Sequence, residues 1–170
     1  MLKDKVLAKI NDQLNKELGA AYLYYAMSAY FDSINLKGFA NWMRIQAQEE
    51  LTHSHRLYMY IINRAARPSF AAAAAPKQDW KSPLDAMTDA YKHECKVSEM
   101  INECVGVAIK EGDHMTNTML QWFVNEQVEE EAAADDVVQK LKLIGDNSGA
   151  LFMLDNELAG RTLAPAGAGE

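Results

Sequence analysis

Glu50 and His53 stand three residues apart within Ala47-Gln48-Glu49-Glu50-Leu51-Thr52-His53. On a helix that spacing presents a carboxylate and an imidazole from adjacent turns of one face, a pair of donors that a divalent metal ion accepts. Three further acids, Glu17, Glu94 and Glu130, sit in the same setting, each interrupting an apolar stripe that advances by alternating steps of three and four residues. The first stripe reads Ile10, Leu14, Glu17, Ala21, Tyr24, Ser28, Phe31, and the second Phe39, Met43, Gln46, Glu50, His53, Leu57, Tyr60. The third reads Leu84, Met87, Tyr91, Glu94, Ser98, Ile101, Val105, and the fourth Leu120, Phe123, Gln127, Glu130, Ala134, Val137, Leu141, Ile144. The polar interruptions fall near the middle of each stripe. Helices of similar length packed side by side would therefore bring Glu17, Glu50, His53, Glu94, Gln127 and Glu130 to one level of a shared core.

Burying an unpaired carboxylate costs on the order of several kcal/mol, and no Lys or Arg lies on any of the four stripes. Neutralisation must come from outside the chain. Two divalent cations would balance the four acids, and a mixed carboxylate and imidazole donor set without thiolate suits iron or manganese, with zinc still open. The residues themselves thus predict a dinuclear metal site.

The elements that must position these groups are long helices. The four prolines stand at 68, 76, 83 and 165, leaving two long proline-free arms. A first helix is predicted from about Leu2 to Ser33 and a second from about Lys37 to Arg64, joined by Ile34-Asn35-Leu36 as antiparallel neighbours. A third is predicted from Pro83, after the capping residue Ser82, to Lys110, and a fourth, capped by Asp113, to about Ile144 before Gly145. A short fifth helix spans about Ser148 to Ala159. Residues 65–83, with five consecutive alanines, have no helical period and read as a loop. Fully extended they reach roughly 60 Å, longer than the roughly 42 Å of a helix of about 28 residues, so the loop can cross the bundle from end to end. The expected fold class is all-α, and the loop's length permits a four-helix bundle with a long crossover between the second and third helices, the connection described for ferritin-like bundles, and a short fifth helix.

Length and composition set bounds on this reading. The 170 residues correspond to one domain, taken as 1–160, followed by a Gly/Ala-rich tail at 161–170 expected to be mobile. With 17 Lys and Arg against 24 Asp and Glu, the net charge is −7, which disfavours nucleic acid and anionic membrane as partners. No apolar run is long enough for a bilayer span, and the two cysteines, Cys95 and Cys104, are too far apart along one helix to pair, as suits a reducing, cytoplasmic setting. Both are expected to be packing residues, and His55, His93 and His114 to be surface or interface residues.

The chain resembles the non-haem ferritins of bacteria and archaea over nearly its whole length. The resemblance rests on the second-helix string above, on Tyr91-Lys92-His93-Glu94, and on Leu120-Gln121-Trp122-Phe123-Val124-Asn125-Glu126-Gln127-Val128-Glu129-Glu130-Glu131. It implies a ferroxidase centre in which Glu17 and His53 bind one iron, Glu50 bridges, Glu94 and Glu130 bind the second, and Gln127 sits beside that second iron. Glu49, Glu126 and Glu129 each precede a stripe residue, sharing an angular offset of about 100°; the resemblance makes them a third iron site into which Glu130 reaches. Tyr24 resembles the family's tyrosine beside the irons, a donor of a hydrogen bond or an electron. Fe(II) and O2 or H2O2 are the implied reactants, and a shell of 24 identical chains storing ferric mineral is the implied assembly. Haem is not expected, because Leu51 stands where bacterioferritins carry their haem-binding methionine. A small di-iron or dimanganese oxidase or peroxidase without mineral storage would share the same ligands.

Overall fold

The computed structural model describes residues 2–163, which form α1 (Asp4–Ser33), α2 (Lys37–Asn63), α3 (Pro83–Lys110), α4 (His114–Ile144) and α5 (Ser148–Leu158). No strand occurs among the described residues. The expected tail lies, from residue 164 onward, outside them. The caps read from sequence are in place: Pro83 opens α3 behind Ser82, whose side chain accepts from the Asp85 backbone N–H, and the Asp113 side chain accepts from that of Thr116. Both leave fewer unpaired N–H groups at a helix start.

Cross-links fix the topology. Lys9 pairs with Glu103 at 2.6 Å and Tyr24 donates to Glu94, so α3 runs antiparallel to α1. Tyr60 bonds Thr116 at 2.8 Å and Gln46 donates to Glu130 at 2.6 Å, so α4 runs antiparallel to α2. Because α1 and α2 form a short-linked hairpin, α2 and α3 are parallel, and the segment between Asn63 and Pro83 must return the length of the bundle. It does so along α1. The Ser69 and Ala71 backbone N–H groups donate to the side chains of Asn11 and Asn15 at 2.8 and 2.7 Å, and Trp80 docks edge-on against Tyr30 at the far end. The alanines at 71–75 are exposed along this path.

The buried apolar side chains fall into two clusters with a polar belt between them. One contains Phe31, Phe39, Met43, Met87, Val137, Leu141, Leu154 and Leu158; the other contains Val6, Ile10, Leu57, Ile61, Ile101, Leu120 and Phe123. The stripes of α1, α2 and α4 match the buried faces closely. On α3 the expected stripe is partly out of phase: Tyr91, Ser98 and Val105 are only half-buried, whereas Ala90, Val97 and Cys104 are in the core. Small side chains take much of that buried face, and the larger residues lie at its margins. Glu94 is buried in either phase.

The start of α2 is capped from a distance. Leu36 offers no side-chain cap; instead Asp155 of α5 accepts from the backbone N–H groups of Gly38 and Phe39 at 2.8 and 3.0 Å. This approach needs glycine, since a Cβ on Gly38 would lie 1.6 Å from the Asp155 carbonyl oxygen. The C-terminal segment continues past α5, and Asn41 donates to the Arg161 carbonyl at 3.0 Å. Arg161, expected to begin a mobile tail, is therefore part of the folded body. Gly38→Ala tests this docking. Alanine improves intrinsic helix propensity by about 1 kcal/mol, yet here it should displace α5 and lower the melting temperature by several degrees, at about 2–4 °C per kcal/mol lost; an unchanged or higher value would refute the close approach.

Candidate metal centre

The polar belt is built from the midpoints of the four long helices. From α1, Glu17 is buried and accepts from Gln13 at 2.8 Å, one turn earlier. From α2, Glu50 and His53 are both buried, with Glu50 Oε2 3.5 Å from His53 Nδ1. From α3, Glu94 is fully buried and accepts from the Tyr24 hydroxyl and from Gln127 Nε2, the latter at 3.3 Å. From α4, Glu130 accepts from Gln46 at 2.6 Å.

Two groupings of metal-binding atoms emerge. One donor atom each from Glu17, Glu50 and His53 lies within 4.8 Å of the others, and the same holds for His53, Glu126 and Glu130. His53 is common to both. Its ring is held edge-on by Trp122 at 5.5 Å and Phe123 at 5.9 Å, and Arg56 stacks over Trp122 at 4.1 Å. Glu94 joins neither grouping directly but faces the same belt through Tyr24 and Gln127. Of the outer acids, only Glu126 enters a grouping. Glu49 is half-buried and paired with Arg161 at 2.6 Å, and Glu129 is exposed.

Electrostatics favour a cationic occupant. Burial, and then the neighbouring charge of Glu50, holds the Glu17 carboxyl well above the usual carboxylate range; burial and the charge of Glu94 do the same to Glu50. Glu94 is pushed up to about 7 by burial and by Glu130, against the hydrogen bonds from Tyr24 and Gln127 that favour its ionised form. Burial takes Glu49 to about 7 despite Arg161. Tyr24, raised well above its ordinary value by burial and by Glu94, remains a phenol and a donor. The most direct sign of a missing partner is geometric: the buried oxygens Glu17 Oε2 and Glu50 Oε2 have no hydrogen-bond partner. Buried acceptors without partners are rare in folded proteins, and two carboxylate oxygens beside an imidazole are the donor set a metal ion takes.

Several residues in this belt were not legible from spacing. Gln13 supports Glu17 from four residues earlier, a pairing that helix geometry alone suggests. Gln46 lies on the second stripe, and its partner Glu130 belongs to α4, 84 residues further along the chain. His93, expected to be a surface or interface residue, is half-buried edge-on against Tyr24 at 5.7 Å, with its Nε2 unpartnered and its imidazole lowered to about 4 by burial. His55 and His114 are exposed as expected. Cys104 is a buried packing residue whose thiol is pushed up to about 12 by burial.

A four-helix bundle with a long crossover, a carboxylate-rich centre at mid-height and a short terminal helix defines a ferritin-like protein. The profile of the ferritin-like domain matches residues 7–144. The chain is 40% identical to the bacterial non-heme ferritin of Staphylococcus aureus over 162 residues, which cover 95% of this chain and 98% of that one; for the corresponding protein of Staphylococcus haemolyticus the identity is 38%. A solved structure of an engineered closed form of the Archaeoglobus fulgidus ferritin superposes with a TM-score of 0.95 at 46% identity, covering 96% of this chain and 100% of that one. A structure described as a humanized archaeal ferritin gives 0.96 at 45%, covering 97% and 100%. The chain belongs to the ferritin family, and its function is iron storage. No helix among the described residues is long and apolar enough to cross a membrane.

The raised carboxylates give a pH dependence with a definite sign. Free glutamate ionises near about 4.3, whereas Glu94 and Glu49 ionise near 7 in the folded chain and Glu17 and Glu50 are raised as well. Between those limits the folded, metal-free protein holds more protons than the unfolded chain, so stability from these groups is present at low pH and lost as pH rises through about 7. The metal-free protein should melt at a lower temperature near pH 7.5 than near pH 5.5, and saturating Zn²⁺ should raise the melting temperature more at the higher pH. A Zn²⁺ increment that is the same at both values would contradict carboxyls that hold protons in the metal-free protein.

Proposed function

We propose that this ferritin oxidises Fe(II) at a dinuclear ferroxidase centre and passes the Fe(III) product to a mineral inside a shell of 24 identical chains in the cytoplasm. The observation that carries the reading is the pair of partnerless buried oxygens on Glu17 and Glu50, beside His53. In this assignment Glu17 and His53 hold one ferrous ion, Glu50 bridges, and Glu94 with Glu130 hold the second, Gln127 beside it. Two divalent ions balance the four carboxylates. A bridging carboxylate holds such pairs roughly 3.5–4 Å apart.

The reaction balances without another cofactor. Two Fe(II) give up two electrons, which with two protons convert O2 to H2O2 or H2O2 to two molecules of water. The raised Glu17, Glu50 and Glu94 carboxyls hold protons in the absence of metal and surrender them as the cations bind. Tyr24, held as a donor to Glu94, fixes that ligand's orientation and is a buried phenol placed to supply a hydrogen bond or an electron.

A third iron position at Glu49, Glu126, Glu129 and Glu130 would receive iron from the centre. The closeness of Glu126 and Glu130 to His53 supports it. The exposed apolar residues Leu143, Phe152 and Met153, at and beyond the end of α4, suit contacts between subunits.

Two experiments test the proposal. Fe(II) added in air at increasing ratios to the apoprotein, followed by ferric absorbance and sizing chromatography, should give hundreds of irons per assembly co-eluting with a very large particle. Iron stopping near two per chain on a small species would instead indicate a di-iron or dimanganese oxidase or peroxidase. Glu50→Ala should nearly abolish fast oxidation while leaving assembly intact; an unchanged initial rate would refute the bridging assignment.

A further inference from the structure

The centre is coupled to the C-terminal segment by one side chain. The Arg161 guanidinium lies 4.3 Å from the Trp42 ring centroid, donates to Gln46 Oε1 at 2.9 Å, and donates to Glu49 Oε2 at 2.6 Å. Its backbone is pinned by Asn41, and the side chains of Arg161 and Glu49 are only 21% and 19% exposed, so this is not a loosely solvated surface pair. The contact to Gln46 sets a polarity. An arginine can only donate, so the Gln46 carbonyl oxygen must face it and the amide nitrogen must face away. That nitrogen meets Glu130 Oε2 at 2.6 Å, on a buried glutamine.

We propose that Arg161 is a positioning residue that serves as the built-in counter-cation of the outer acidic cluster, holding Glu49 and orienting Gln46 toward Glu130 until an incoming metal cation displaces it from Glu49. The inference rests on the third iron position proposed above and adds what controls its filling. With Arg161 in place, Glu49 is already paired, and His53, Glu126 and Glu130 alone offer donor atoms close enough to share an ion. A cation that recruits Glu49 must first break a bidentate-capable, partly desolvated ion pair. Filling of the outer position therefore competes with the docking of the C-terminal segment, while the Glu17, Glu50 and His53 grouping, which Arg161 does not touch, fills without that competition.

The test is anaerobic titration of the full-length apoprotein with redox-inert Zn²⁺, read by calorimetry. Arg161→Gln should tighten the third Zn²⁺ per chain about tenfold and leave the ion held by Glu17, Glu50 and His53 unchanged, Arg161→Lys should restore wild-type affinity, and in a Glu49→Gln background Arg161→Gln should no longer tighten the third Zn²⁺. A third Zn²⁺ that binds Arg161→Gln with wild-type or weaker affinity overturns the proposal. Absence of a third Zn²⁺ from every variant overturns the outer position itself. Should Arg161→Gln fail to fold, wild-type crystals soaked in Zn²⁺ decide the matter by anomalous scattering: an outer ion on Glu49 with Arg161 swung away supports displacement, and an outer ion with the Arg161 to Glu49 pair intact refutes it.

Discussion

The bundle is organised around an electrostatic debt that the chain does not settle internally. Glu17, Glu50, Glu94 and Glu130 converge in one buried layer, and among the described residues the side chains that donate hydrogen bonds to them are the neutral Gln13, Tyr24, Gln46 and Gln127, with the His53 imidazole beside Glu50. Hydrogen bonds from such donors offset part of the cost of desolvating a carboxylate but add no positive charge. The metal-free centre consequently responds by holding protons. The two apolar clusters above and below the layer must supply the stability that the layer withholds, and they hold four helices in fixed register while their midpoints repel one another.

This constraint made the centre readable before the fold was known. An acid in the middle of an apolar stripe is anomalous on one helix, and four such stripes with their anomalies at equal height leave little choice of interpretation. The stripes of α1, α2 and α4 were legible because large apolar residues mark their buried faces. That of α3 was less so, since alanine and cysteine occupy much of its buried face and a reading guided by Tyr91 and Val105 turns the helix by part of a residue step. Glu94 survived that error because it lies where the two phases overlap.

What the sequence hid was everything that depends on distant segments meeting. Nothing in the order of residues announces that Asp155 caps the start of α2, that His93 packs under Tyr24, or that Arg161 reaches Gln46 and Glu49. A lone arginine before a stretch rich in glycine and alanine reads as solvent-exposed tail. Only the docking of α5, permitted by the missing side chain at Gly38, carries it back to the middle of α2. Helix periodicity reports one face of one element, and these contacts join elements separated by most of the chain.

The remote cap on α2 has a consequence for synthesis. Gly38 and Asp155 are separated by 117 residues, so at about 5–20 residues per second the cap emerges from the ribosome roughly 6–23 s after the helix start it completes. Throughout that interval the first turn of α2 has its leading amides open to water and no side chain of its own to satisfy them. The nascent α1 and α2 hairpin is thus the loosest at the very end where the last helix must dock. Completion of the second helix waits for nearly the whole chain, and a product truncated within α5 would carry a frayed helix end of the kind that cellular quality control samples.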